Sequence, residues 1–263
     1  MDTILSSRDN PLIRQVRELL GSARARRENR LFAIEGARLC ADAARSGAAV
    51  TAFLYTRRAA ETYRSYWEPV AAAAQRRFEI PEALMKYAAD TATPQGMLCV
   101  CAMLDNRPGL DTIEPHARYL ALEDIQDPAN LGTVIRTAEA LGLSALLLSD
   151  GCCDPYNPKV LRGSMGGVFR LPLLPAGDLA HTAEILGRRG VRCFACVPQG
   201  GEDLRRAGLS AGAVCLIGNE GRGLRPETAA ACTGRLTIPM GGRAESLNAA
   251  VAASILMWEM MRS

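Results

Sequence analysis

Five polar side chains stand beside glycines in the apolar C-terminal half of this chain: Asn130 and Arg136 in DIQDPANLGTVIRTAEALG, Glu220 in CLIGNEGRGL, and Ser246 and Asn248 in IPMGGRAESLNAA. In the first stretch Asp127-Pro128 ends an extended segment, Asn130 can cap a helix, and Gly132 allows close approach of a ligand or backbone, with Arg136 one turn further on the same side. A helix N-terminus beside a glycine can hold an anion. The second stretch carries one carboxylate at the mouth of a sheet, although its glycines also suit a tight turn into the helix RPETAAAC. In the third, Ser246 can accept from a first-turn N–H and Glu245 complements the helix dipole. Asn248 then falls inside the first turn, where its propensity is poor, and a residue placed there points to chemistry rather than to helix stability.

Several chemistries are set aside at once. Neither histidine, His116 or His181, belongs to a polar or glycine-rich cluster, which argues against histidine triads and histidine-held metals. The dinucleotide fingerprint and the P-loop are absent. Of the nine cysteines, Cys193 and Cys196 form a CxxC pair in an apolar strand with no second pair at zinc-ribbon spacing, so they read as core, as do Cys152 and Cys153 at a turn. No metal is expected.

The elements that must position these residues form two patterns. Over the first hundred residues, PLIRQVRELLGSA reads as a helix, LFAIEG as a strand, ARLCADAARSG as a helix and AVTAFLYT as a strand. AAETYRSYWEPVAAAAQRR and PEALMKYAAD then read as helices and GMLCVCAML as a strand, completing a compact α/β unit. LDNRPGLDTIEPHAR, rich in Pro, Gly and Asp, reads as a linker. Beyond it, RYLALEDI, ALLLS, VRCFACV, AVCLIG and RLTIP are short apolar runs between helical stretches. Such runs belong to a parallel sheet covered on both faces, and those sheets bind ligands at the carboxyl ends of their strands.

With 263 residues and 48% hydrophobic content the chain can bury two cores. It has no apolar run long enough for a membrane span and no secretory signal at its start, so a cytoplasmic location is expected. The net charge of +3 is small, but residues 1–104 hold 15 Lys or Arg against 11 Asp or Glu, whereas the remainder is slightly acidic. ARARRENR gathers Arg24, Arg26, Arg27 and Arg30 into either a solvated helix end or a phosphate-binding patch.

In their order, NLGTVIR, LIGNEGRGL and IPMGGRAESLN resemble the motifs of the SpoU (TrmH-like) branch of the SPOUT RNA methyltransferases, which move a methyl group from S-adenosylmethionine to a ribose 2′-hydroxyl. The resemblance runs from about residue 118 to the C-terminus. SSRDNPLIRQVREL with RLFAIEG is similar to the family's N-terminal L30e-like substrate-binding domain. The resemblance implies an α/β protein with an L30e-like domain over residues 1–104, a linker over 105–117, and a parallel-sheet SPOUT domain over 118–263 with a deep trefoil knot. It implies a homodimer that binds S-adenosylmethionine through Gly218, Ile238, Met240 and Leu247, largely by backbone groups, with Asn130, Arg136, Glu220, Ser246 and Asn248 at the reacting centre. The family assigns proton acceptance to the arginine. A guanidinium with a pKa above about 12 is a poor base, so Arg136, coming from the partner protomer, is expected to orient the hydroxyl and stabilise the developing alkoxide. Arg24, Arg26, Arg27 and Arg30 are expected on RNA phosphates. Large-subunit (23S) ribosomal RNA is the implied substrate, DNA is excluded by the 2′-hydroxyl, and transfer RNA methylation or non-catalytic RNA binding are the alternatives.

Overall fold

The computed structural model describes residues 3–104 and 109–262. The first elements are β1 (Thr3–Ile4), α1 (Pro11–Gly21), α2 (Ala23–Asn29), β2 (Leu31–Glu35), α3 (Ala37–Arg45), β3 (Val50–Tyr55), α4 (Arg57–Thr62), α5 (Arg64–Ala73), β4 (Arg77–Glu79), α6 (Glu82–Ala88) and β5 (Met97–Ala102). Asn10 starts α1 by accepting from Leu12 N at 2.9 Å, and Pro11 occupies the first helical position, where its missing N–H costs nothing. Ile13, Val16, Leu19 and Leu20 share the buried face of α1. Ser22 ends this helix and caps the next by accepting from Ala25 N at 3.1 Å. The stretch predicted as one long helix, AAETYRSYWEPVAAAAQRR, is two helices joined at Tyr63. The strands form a mixed sheet in the order β1-β4-β3-β5-β2, in which β5 runs antiparallel to β3 and β2. The strands β1, at one edge, and β4 beside it hold two and three residues, too few to show a period in the sequence.

The remaining elements are β6 (Arg118–Leu122), α7 (Pro128–Ala140), β7 (Ala145–Ser149), α8 (Pro158–Ser164), β8 (Leu173–Gly177), α9 (Leu179–Arg188), β9 (Cys193–Cys196), β10 (Glu202–Asp203), β11 (Ala213–Ile217), α10 (Pro226–Ala231), β12 (Gly234–Thr237) and α11 (Ala249–Met261). Seven strands pair in parallel in the order β10-β12-β9-β11-β6-β7-β8. Alternate residues serve opposite faces. Tyr119, Ala121, Leu147, Val214 and Leu216 cluster with Leu179, Ala183 and Leu186 of α9. Leu120, Leu146 and Cys215, pointing the other way, are equally buried, and α7 and α11 pack together and against these strands. Burial on both faces explains why these strands show no alternation in the sequence.

The chain divides into two compact units, Met1–Asp105 with Tyr156–Phe169, and Asn106–Pro155 with Arg170–Ser263. α8 thus belongs to the first unit. There the Tyr156 ring packs at a tilt against Phe32 with centroids 4.6 Å apart, and its hydroxyl accepts from Leu104 N at 3.1 Å. The first four residues of the expected linker, 105–108, lie outside the described residues. No helix among the described residues is long and apolar enough to cross a membrane.

Candidate active site

The site is built at the carboxyl ends of β6 and β11 and at the starts of α7 and α11. After β11 the chain folds back on itself: Asn219 N donates to Gly223 O at 3.1 Å and Gly223 N to Asn219 O at 2.9 Å. The Asn219 side chain holds this loop from within, its Oδ1 accepting from Gly221 N at 3.0 Å and Arg222 N at 3.1 Å. Its Nδ2 donates to Asp124 O beyond β6 at 2.7 Å. Gly218 must be glycine, because an added Cβ would overlap the backbone of Gly223 and Leu224.

Glu220 projects from this loop toward the start of α7. Its Oε1 accepts from Asp127 N at 3.0 Å and from Asn130 Nδ2 at 3.0 Å, and its Oε2 from Gln126 N at 3.1 Å. Partial burial pushes the Glu220 carboxyl up, but the hydrogen bonds from Asn130 and from the Asp127 and Gln126 N–H groups outweigh it, and its pKa lies below the ordinary value. Asn130 is buried, and its Oδ1 accepts from Asn248 Nδ2 at 3.0 Å. Glu220, Asn130 and Asn248 therefore form one hydrogen-bonded chain across three segments distant in sequence.

Both helix starts differ from the expectation. Asp127, not Asn130, caps α7, accepting from Ala129 N at 2.9 Å, with Pro128 next. Asn130 lies in the first turn with its amide turned to the other loops. Asn248, not Ser246, caps α11: its Oδ1 accepts from Ala250 N at 2.9 Å and Val251 N at 3.2 Å. Its non-helical backbone (φ −54°, ψ 141°) moves the helix start beyond it. Ser246 is exposed and makes no hydrogen bond among the described residues.

Two cavities flank the chain of amides. A cleft of about 350 Å³ is lined by Gly218, Glu220, Ile238, Met240, Ser246 and Leu247. Gly218 is buried, yet its N–H and C=O make no hydrogen bond among the described residues, and neither do the backbone groups from 238 to 247. Such groups are open to water or to a ligand. A second cavity of about 730 Å³ lies between α7 and α11, bordered by Asn130, Arg136, Asn248, Val251 and Trp258. Arg136 is exposed and makes no ion pair among the described residues. The structure thus gathers Gly218, Glu220, Ile238, Met240, Ser246 and Leu247 at one cavity and Asn130, Arg136 and Asn248 at the other. Only the side chains of Glu220, Asn130 and Asn248 are joined directly.

Sequence reasoning missed the carboxylate that anchors this end of the sheet. Glu123 is almost wholly buried and accepts from Arg225 N at 2.7 Å, Arg225 Nε at 3.0 Å and Thr228 Oγ1 at 2.5 Å. The available signal was an acid closing an apolar strand, RYLALE. Cys193 is buried, as expected, whereas Cys152, Cys153 and Cys196 are only partly so; burial pushes the thiol of Cys193 up to about 11 and that of Cys232 up to about 12, far from the thiolate form at neutral pH.

In the first unit, Arg24, Arg27 and Arg30 are exposed, with Arg24 Nε donating to Glu28 Oε1 at 2.7 Å. Arg26 corrects the expectation of a four-arginine patch. It is buried, and its Nη1 donates to Leu19 O at 2.6 Å, satisfying a carbonyl that the end of α1 leaves unpaired, so it cannot reach a phosphate.

Residues 117–258 match the model of the SpoU rRNA methylase family, and residues 10–99 match that of the MRM3-like substrate binding domain. The chain is 30% identical over 259 residues to an uncharacterised tRNA/rRNA methyltransferase of Synechocystis, covering 98% of this chain and 93% of that protein. It is 35% identical over 171 residues to the 23S rRNA (guanosine(2553)-2′-O)-methyltransferase RlmP of Bacillus subtilis, covering 65% of this chain and 66% of that enzyme. The crystal structure of the AdoMet-bound rRNA methyltransferase from Sinorhizobium meliloti superposes with a TM-score of 0.85 at 30% identity, covering 98% of this chain and 97% of the other.

Proposed function

The chain belongs to the SpoU rRNA methylase family, and from that premise we propose that it transfers the methyl group of S-adenosylmethionine to a ribose 2′-hydroxyl of 23S ribosomal RNA. The observation that carries this reading is the chain Glu220–Asn130–Asn248, which links the glycine-lined cleft to the neighbouring cavity. The cleft fits the cofactor: it has the volume and apolar lining of a small-molecule site, with unpaired backbone groups at Gly218 and along 238–247 to recognise an adenosine. Gly218, Ile238, Met240 and Leu247 hold it in this reading. When bound, S-adenosylmethionine supplies an electrophilic methyl group on a sulfonium.

The protein's own residues orient and control charge. Glu220, held by hydrogen bonds from Asn130, Asp127 and Gln126 and a longer one from Asn219, fixes the loop that borders the cofactor to the start of α7. Asn130 passes that constraint to Asn248, and Asn248 sets the start of α11, with Ser246 just before it facing the cleft. Arg136 brings a guanidinium, a rigid fork of N–H donors with no acceptor. It therefore orients the hydroxyl and stabilises the negative charge that develops as the hydroxyl proton leaves.

Arg136 acts from the partner protomer of a homodimer in this reading. The support is the α7–α11 surface: Val251 and Trp258 are 48% and 61% exposed, an apolar face that water leaves uncompensated, and Arg136 borders it. We assign substrate capture to residues 1–104, with Arg24, Arg27 and Arg30 on phosphates, and methyl transfer to residues 118–263, joined by 105–117. A trefoil knot in the C-terminal segment and a cytoplasmic location complete the proposal.

The test is methyl transfer from labelled cofactor to deproteinised 23S ribosomal RNA and, separately, transfer RNA, with the product nucleoside identified by mass. A 2′-O-methylated nucleoside from the ribosomal RNA is expected. Transfer to transfer RNA alone would reassign the substrate, and absence of both transfer and cofactor binding would overturn the enzyme assignment.

A further inference from the structure

The stretch SSRDNPLIRQVREL contains an arrangement that methyl transfer leaves unexplained. Arg8, in the turn before α1, and Arg17, on α1, both lie over the ring of Tyr87 on α6, with guanidinium carbons 4.7 Å and 4.2 Å from its centroid. The ring packs against the core formed by Ile13, Val16, Leu20 and Leu84, which fixes its position. Neither guanidinium makes a hydrogen bond or an ion pair among the described residues. The acids beside them do not neutralise them: Asp9 is taken by Arg14 at 2.9 Å, and Glu18 makes no ion pair among the described residues. Lys86, next to Tyr87, is exposed and likewise unpaired among them.

Two guanidinium groups so placed are at most about 9 Å apart, the sum of their distances to the shared centroid, and they repel. Held by the ring, each keeps an N–H fork available at a fixed position, an arrangement that matches the oxygens of a phosphate. Two neighbouring cations with no anion of their own are complementary to a polyanion rather than to a single carboxylate. The α2 arginines are less available, since Arg24 is paired with Glu28 and Arg26 is buried.

We propose that Arg8 and Arg17, laid over Tyr87, form a phosphate clamp by which the first unit grips the backbone of the RNA substrate. The clamp rests on the RNA methyltransferase reading above and adds to it a site for the phosphodiester chain. The aromatic ring serves as a platform that preorganises the two forks.

The test is equilibrium binding of the full chain to deproteinised 23S ribosomal RNA over a series of salt concentrations. Each phosphate contact contributes about 0.7 to 0.9 to the slope of log K against log salt. The Arg8→Gln/Arg17→Gln variant should therefore have a slope shallower by about 1.4 to 1.8, and bind about 25- to 60-fold more weakly at 0.1 M salt if both proteins converge at 1 M. Arg8→Lys/Arg17→Lys should recover the slope but only part of the affinity, because the charge returns without the fork. Tyr87→Leu, which keeps apolar bulk against the core, should weaken binding while retaining the slope. Cofactor affinity and the thermal midpoint report folding independently. If the unaltered chain binds RNA and the double Gln variant keeps its affinity and slope, the clamp is wrong, and a lowered thermal midpoint with unchanged slope would make the stacking purely structural. If the unaltered chain binds no RNA and transfers no methyl group, the RNA reading and the clamp fall together; if it still transfers methyl, only the clamp does.

Discussion

Asn130→Asp is the substitution that most directly interrogates the amide chain. It is nearly isosteric, but it places an oxygen where Nδ2 now donates to Glu220 Oε1 at 3.0 Å. Two carboxylates at about 3 Å repel by about 1.4 kcal/mol in a water-like dielectric and about 5.5 kcal/mol at an effective dielectric of 20. With Asn130 buried and Glu220 exposed, the cost lies between these values. The pair escapes by keeping one proton, so its apparent pKa rises above the ordinary carboxylate range. In that protonated form it makes the same hydrogen bond as the amide. Transfer by the variant should therefore approach that of the parent at acid pH and fall as pH rises. Asn130→Ala has no proton to keep. It loses a bond to a carboxylate and a neutral one from Asn248, about 2 to 4 kcal/mol together, or about 30- to 1000-fold in rate, at every pH. Single-turnover methyl transfer from about pH 5 to pH 9 measures both. Cofactor affinity should change less than the rate, since Asn130 borders the other cavity and Glu220 keeps its bonds from the Gln126 and Asp127 N–H groups. An aspartate variant with the parent's rate and pH profile would refute the coupling of Asn130 to Glu220.

Gly218→Ala should weaken cofactor binding by about 5- to 150-fold in calorimetry, because relieving the overlap with Gly223 and Leu224 costs about 1 to 3 kcal/mol and moves the loop that borders the cleft. Arg26→Ala should lower stability to urea by about 1 to 3 kcal/mol through the stranded Leu19 carbonyl and leave the salt dependence of RNA binding unchanged. Arg24→Ala/Arg27→Ala/Arg30→Ala should do the reverse. The folded pKa of Glu220 is depressed, so its contribution to stability is present above its unfolded pKa and is lost as pH falls through the lower folded value. Glu220→Gln should thus be less stable than the parent at neutral pH, and the gap should close in urea titrations below about pH 4.

The long periodic elements were legible because their burial follows the backbone period. Ile13, Val16, Leu19 and Leu20 announce α1, and the unbroken apolar runs of β6, β7 and β11 announce a sheet covered on both faces. Elements shaped by distant contacts were not. β8, LLPAG, carries a proline and a glycine and is a strand only because β7 pairs with it. Tyr156–Phe169 joins the first unit through contacts such as Tyr156 on Phe32, which no local pattern encodes. At the site, residue types and spacing drew attention to Asn248 and to Glu220 at the mouth of the sheet, and the family resemblance added Asn130, but neither told which asparagine caps a helix and which spans loops. A cap signature tolerates a shift of one or two residues, whereas a hydrogen bond between residues 118 positions apart depends on the folded arrangement.

The start of α7 explains why one carboxylate governs so much of this site. A helix beginning with Asp at the cap often places Glu or Gln at its third position, whose side chain reaches back to the N–H of the capping residue. Here the third position is Asn130, and the N–H of Asp127 is satisfied instead by Glu220, from the loop after β11. The helix therefore borrows its capping carboxylate from the glycine loop. One interaction completes the α7 terminus, places Glu220 in the positive field of that terminus, which favours its ionised form, and frees Asn130 to meet Asn248. Asn248 repeats the economy: its Oδ1 caps α11 while its Nδ2 donates to Asn130. Glu220 and Asn248 thus each serve helix termination and loop registration together. Loss of any member frees two segments at once, so substitutions at Glu220, Asn130 and Asn248 should be far from additive.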